Sequence, residues 1–238
     1  MTRITRTLLT DMYESEIKAL LTEKGVSDVG FCVLPKELSQ PLPYAVSIAV
    51  RLSDAVVDEI TDKPTVTYFS HYRTVNAFID RVQLETGLYL QSKGFRYIPV
   101  PASQSDNTDG WNYCGRFPHK TAARLSGLGT IGVNTLFIHR EYGARVRLGT
   151  LLTDCPFPFP EELSDSPCKA CMQCVKSCPA GAIKGVLWHD GIARDEMFDA
   201  QKCSEYMKNE FKSIGRGAVC GICMRVCGCG KEQDDSGV

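Results

Sequence analysis

Eight cysteines in the last third of the chain constrain it more than any other feature. Cys168, Cys171, Cys174 and Cys178 form a C-x2-C-x2-C-x3-C run closed by Pro179; Cys203 follows, and then Cys220, Cys223 and Cys227 as C-x2-C-x3-C. In a run of the first kind three thiolates hold one [4Fe–4S] cubane and the fourth reaches across to a second. The spacing therefore assigns Cys168, Cys171, Cys174 and Cys227 to one cluster, and Cys178, Cys203, Cys220 and Cys223 to the other. Each cluster takes its fourth ligand from the opposite motif, so neither half closes without its partner. Two structural zinc sites are the competing reading. Zinc sites usually pair two C-x2-C units, whereas Cys171 has a cysteine three residues away on both sides. A disulfide framework belongs to small secreted chains and fits less well.

A chain of 238 residues has room for one medium domain beside a small cluster module. Its net charge of −1 gives no reason to expect nucleic acid or a membrane surface as partner. Residues 1–18 carry Arg3 and Arg6 but no continuous apolar core, and no run approaches a membrane span. Twelve cysteines without a leader point to a reducing cytoplasm.

Apolar periodicity predicts a helix over 7–24 through Leu8, Leu9, Met12, Ile17, Leu20 and Leu21, stopped at Gly25. Strands are expected at 29–34 and 44–50, the second buried on both faces. A long helix is expected over 68–92 through Val75, Phe78, Ile79, Val82 and Leu90; Gly94 ends it, and a strand at 95–100 runs to Pro101. This alternation makes the fold class α/β, layered helices and sheet. Residues 102–115 read as a loop around Trp111 and Tyr113, followed by a short helix over 120–126. Residues 135–139 and 146–152 read as a hairpin turning at Glu141–Gly143. Pro156, Pro158 and Pro160 make a stiff linker. The expected domains are thus 1–158, an α/β core, and 159–238, the cluster module.

Gly127, Gly129 and Gly132 match G-x-G-x-x-G literally, but the segment follows a helix and leads into a strand, the reverse of a dinucleotide fingerprint. Two readings remain open. The glycines let the backbone approach a flat ligand or a neighbouring strand, or they make tight turns with no ligand.

Taken together, residues 120–135 (KTAARLSGLGTIGVNT), 148–154 (LGTLLTD) and the eight-cysteine module resemble the epoxyqueuosine reductase family, itself related in architecture to reductive dehalogenases. Val29–Phe31, the 44–50 strand, Phe69–Arg73 and Gln201–Tyr206 agree with that resemblance. It implies a nitroreductase-like core that binds cobalamin base-off, followed by a bacterial two-[4Fe–4S] ferredoxin-like module. It also implies a low-potential donor such as ferredoxin or flavodoxin. On this resemblance Gly127, Gly129, Ile131, Gly132, Asn134, Thr135, Ser204 and Tyr206 would contact the corrinoid. The absence of a D-x-H-x-x-G motif fits the base-off mode.

The sequence also departs from the family. Its proton-donating Asp follows the strand placed here at 95–100, where this chain has Val100-Pro101-Ala102-Ser103. Asp106, Asp109, Tyr113 and His119 are the replacement candidates, set against plain roles as solvated loop acids, packing and a capped turn. His119-Lys120 stands where the family has Glu-Arg, Cys227-Gly228-Cys229 where it has Cys-Pro-Trp-Asn, and Lys208 where it has a small hydroxyl residue. The family's C-terminal helical repeats associated with tRNA are not found, so tRNA is not the expected partner. Cys32 and Cys155 read as small buried residues and Cys114 as the thiol to test for reactivity. Arg116, Lys120, Arg124, Arg140, Arg145 and Arg147 read as a solvated face, or as a site for phosphate or an anionic corrinoid tail.

These readings lead to a cytoplasmic, cobalamin-dependent iron–sulfur oxidoreductase acting on a small substrate or on a corrinoid itself. The alternatives are an electron-transfer or corrinoid-carrier protein without substrate chemistry, and an epoxyqueuosine reductase proper.

Overall fold

The computed structural model describes residues 3–39, 41–106, 108, 113–157 and 166–230, with side chains from residue 11 onward. Asp109, Trp111, Pro158, Pro160 and the boundary drawn at residue 158 lie outside the described residues. The elements run α1 (Arg3–Glu23), β1 (Asp28–Val33), β2 (Tyr44–Arg51), α2 (Asp54–Asp58), α3 (Val66–Ser92), β3 (Tyr97–Val100), α4 (His119–Leu125), β4 (Gly129–Ile131), β5 (Phe137–His139), β6 (Val146–Thr153), α5 (Gln173–Lys176), α6 (Arg194–Met197), α7 (Ala200–Glu210) and α8 (Ile222–Arg225). The fold is mixed α/β. The chain forms two compact units: Met1–Leu52, Ser70–Leu128 and Arg147–Ser164 make the first, and Ser53–Phe69, Gly129–Val146 and Asp165–Val238 the second.

The first unit holds a four-stranded sheet in the order β1-β2-β6-β3, with β1 antiparallel to β2 and β3 antiparallel to β6. The interior strands β2 and β6 are buried almost end to end, which is why they read as unbroken apolar runs and not as alternations. α3 lays Val75, Ile79, Val82, Thr86 and Leu90, one face at 3.6-residue spacing, into the core. It begins at Thr65, whose hydroxyl accepts the Tyr68 N–H, and ends in a glycine turn at Gly94 (φ +89).

The expected hairpin of 135–139 with 146–152 does not form. β5 pairs with β4, and β6 takes an interior place in the larger sheet. The connection is tied off locally: His139 Nδ1 accepts the N–H groups of Glu141 and Tyr142, and Gly143 bridges back to His139. A strand buried along its whole length needs a partner on each side, which a two-stranded ribbon does not supply. Arg145, read as part of a basic surface, is 4 % exposed and clamps Asp54 and Asp58 of α2.

Gly143 has φ +58, and a Cβ there would come within 1.7 Å of the Cys229 carbonyl oxygen. A Gly143→Ala variant is expected to lose about 3 kcal/mol, combining left-handed strain with backbone overlap. Gly25, also at positive φ but with nothing near its absent Cβ, is the control, expected to lose about 1 kcal/mol as Gly25→Ala. Urea unfolding midpoints measure both.

Candidate functional site

The two cysteine motifs of the second unit are built alike. Cys171-x2-Cys174-x3-Cys178 and Cys220-x2-Cys223-x3-Cys227 share their spacing. In each, the residue after the first cysteine is left-handed: Met172 at φ 61 and Gly221 at φ 84. A single helical turn follows, α5 or α8. The carbonyl of Met172 accepts from Val175 and Lys176, and that of Gly221 accepts from Met224 and Arg225. The second cysteine lies within the turn and the third follows its end.

These turns gather the cysteines into two groups. Burial pushes the Cys174 thiol up, and its cysteine neighbours are Cys227, Cys168 and Cys171. Burial first, then Cys220 and Cys178, pushes the Cys203 thiol up to about 12. Cys220 is raised by burial with Cys178 beside it, and Cys223 by burial and then by Cys220, Cys203, Cys178 and Cys174. The groups therefore adjoin through Cys174 and Cys223. Val133, Cys174 and Ile183 form a small core on which Cys168, Cys178 and Cys223 pack. Thiols crowded this way stay protonated unless a cation supplies the missing charge, and iron does so. None of the cysteines is in a disulfide. Among the described residues, no three His, Cys, Asp or Glu side chains close on a single metal ion; a cubane asks for a wider set, one thiolate at each of four separate irons.

The glycine segment belongs to the β4–β5 ribbon. A Cβ on Gly129 would lie 2.2 Å from the Ile138 carbonyl oxygen, and one on Gly132 would lie 2.8 Å from Ile138 Cγ1. Both are small because strand β5 occupies the space. Gly127, at φ 75, ends α4. Asn134 is buried: its Oδ1 accepts the Leu136 N–H at 3.1 Å and its Nδ2 donates to the Cys223 carbonyl at 3.4 Å. The loop that carries Asn134 and Thr135 (φ 58) is thus tied to the second cysteine motif. Thr130 and Ile131 are half-exposed, as are Ser204 and Tyr206 on α7. The glycines are accounted for by the ribbon, and their loop is attached to the second cysteine motif at Cys223.

In the first unit the loop candidates are poorly disposed to give up a proton. Asp106 is exposed, and its carboxylate accepts from the N–H and hydroxyl of Thr108, which holds it below the usual carboxylate range. Tyr113 is half-buried with φ 58. His119 lies 2.8 Å from the Thr150 hydroxyl through Nδ1 and 3.1 Å from the Pro101 carbonyl through Nε2, and burial lowers its pKa.

Sequence reading missed a further proton-donor candidate in this unit, Tyr72 on α3. Its hydroxyl is 2.7 Å from Ser103 Oγ and accepts from Arg147 at 3.3 Å, and the Arg147 guanidinium sits 4.4 Å from its ring centroid. Burial alone would raise the phenol; the Arg147 charge and the hydrogen bonds to Ser103 and Asn76 outweigh it and bring Tyr72 below its ordinary value. Arg147 is held in turn by Asn76 Oδ1 at 2.9 Å. Ser103 follows β3, where the resembling family carries its Asp. The signal was in the sequence as Tyr72 in the segment 69–73, but nothing there tells of Arg147, 75 positions away.

Residues 167–230 match the model of the 4Fe-4S double cluster binding domain. Curated relatives similar to this chain are epoxyqueuosine reductases. That of Listeria monocytogenes is 41% identical over 71 residues, 30% of this chain and 18% of the relative. That of Pseudomonas aeruginosa is 33% identical over 93 residues (39% and 23%), and that of Escherichia coli 32% over 90 (38% and 21%). The matched stretches thus span about a fifth of those relatives' length. Among solved structures, the catabolic reductive dehalogenase NpRdhA superposes with a TM-score of 0.72 at 19% identity, covering 91% of this chain and 31% of that one. An epoxyqueuosine reductase in complex with an epoxyqueuosine-modified tRNA-Tyr stem loop superposes with a TM-score of 0.60 at 19% identity, covering 94% and 67%. The chain shares their fold. No described helix is long and apolar enough to cross a membrane.

Proposed function

We propose that this chain is an iron–sulfur reductase that takes electrons from a low-potential donor, such as ferredoxin or flavodoxin, and passes them through two [4Fe–4S] clusters to a base-off corrinoid held by residues 127–135. The observation that carries the reading is the gathering of eight cysteines into two adjoining sets, within the segment that matches a double-cluster domain. Cys168, Cys171, Cys174 and Cys227 would hold the outer cluster, and Cys178, Cys203, Cys220 and Cys223 the inner one, with 159–238 acting as the cluster module. The clusters supply single electrons at potentials set by burial, charge and hydrogen bonds to their sulfurs. Cobalamin supplies a cobalt centre at which substrate is reduced. The chain's own part is to hold the Asn134 loop to the Cys223 backbone and to place the Tyr72 hydroxyl beside Arg147, whose charge eases release of its proton.

The substrate in this proposal is a small molecule or a corrinoid. A net charge of −1 offers no surplus of cations to a phosphate backbone, so tRNA, a stem loop of which accompanies one solved structural neighbour, is not the proposed partner. A carrier without substrate chemistry is the second reading, favoured by the ionised Asp106 and the locked His119.

Anaerobically reconstituted protein is expected to hold about eight irons and eight sulfides per chain and to change the visible spectrum of added cobalamin. About eight irons with no response to cobalamin would leave the electron-transfer reading alone; fewer than about four would remove both.

A further inference from the structure

A ninth cysteine stands at the outer set. Cys229 is two residues beyond Cys227, and its Sγ lies 3.2 Å from the carbonyl oxygen of Pro167, the residue before Cys168. Its thiol neighbours are Cys227, Cys168 and Cys171, the same cysteines that surround Cys174. Its backbone is fixed in place: Gly143 and Gly230 approach so closely that a Cβ on Gly143 would be 1.7 Å from the Cys229 carbonyl oxygen, and one on Gly230 would be 2.2 Å from the Gly143 nitrogen. Gly228, between the two cysteines, has nothing within 4 Å of where its Cβ would be. With the Cys229 backbone held and an unencumbered glycine between it and Cys227, the short link leaves the Cys229 side chain room to turn toward the outer set.

We propose that Cys229 is a reserve ligand of the outer cluster, able to take the place of Cys227. This rests on the cluster reading above and goes one step beyond it. In the exchange one Fe–S bond to Cys227 breaks, one to Cys229 forms, and the thiol proton of Cys229 passes to Cys227; no electron is gained or lost. Thiolate is the ligand iron–sulfur clusters require, and the neighbours of Cys229 are three members of a single set.

The test is iron and sulfide analysis with EPR of the reduced, reconstituted full chain. Wild type should carry about eight irons, Cys229→Ala about eight, Cys227→Ala about eight with a changed outer-cluster signal, and Cys227→Ala/Cys229→Ala about four. Cys174→Ala, whose thiol is not among the neighbours of Cys229, should carry about four. The inner-cluster signal reports that each variant has folded. Cys227→Ser, alone and with Cys229→Ala, repeats the comparison should the alanine variant not accumulate. The proposal is overturned if Cys227→Ala falls to about four irons while the inner signal survives, as Cys174→Ala does. Wild type short of about eight irons defeats the cluster reading itself, a separate outcome.

Discussion

Cys223→Ala is expected to lose the inner cluster, drop the chain from about eight irons to about four, and abolish turnover with any donor that must pass through the module. Cys223 has no reserve beside it. Its neighbours are Cys220, Cys203, Cys178 and Cys174, and its sulfur packs on the small core of Val133, Cys174 and Ile183. Because metal-binding energy in such a module is folding energy, the second unit should also become sensitive to proteolysis around 166–230. Cys155→Ala makes the contrast: Cys155 is fully buried, and its thiol is pushed up to about 12 by burial and Asp154, with no cysteine beside it. It should keep all its irons. If Cys223→Ala retains about eight irons, the ligand sets are wrong.

Tyr72→Phe should leave iron content and reduction by dithionite unchanged while turnover falls by about 10²- to 10⁴-fold, the usual worth of a positioned proton donor. The ring and its stack on Arg147 survive; the hydroxyl shared with Ser103 does not. The pH profile gives an independent reading. A donor works while protonated, so rate should be full below the Tyr72 pKa and fall as pH rises through it. The Arg147 charge and the bonds from Ser103 and Asn76 bring that falling limb below the ordinary phenol value of 10.0. Arg147→Gln, which removes the charge, should move it back to higher pH. A carrier protein would show no substrate turnover in wild type, and an unchanged limb in Arg147→Gln would exclude Tyr72 as the donor.

The elements legible in the sequence were those whose signal is local. α3 announced itself through a stripe from Val75 to Leu90, and β2 through an unbroken apolar run. The double-cluster segment was legible because its cysteine spacing is a ligation pattern, and residues 167–230 match such a domain. The hairpin expected at 135–152 was not, because adjacency in sequence favours β5 with β6, whereas burial along all of β6 demands two flanking strands and β5 finds β4. Arg145 and Arg147 looked alike in a basic stretch; only folding separates one clamping α2 from one stacked on Tyr72. The glycines were correctly refused as a dinucleotide loop, yet their reason, the bulk of Ile138 across the ribbon, lies outside any motif.

The near-identical turns around Met172 and Gly221 have an energetic corollary. If the two proposed clusters sit in these matched peptide surroundings, the repeated turns alone would give their potentials little reason to differ. The flanks differ: one side meets Pro167 and the Cys229 sulfur, the other an asparagine amide. In that proposal the direction of current through the pair would be set by these few asymmetric neighbours and not by the repeated scaffold itself.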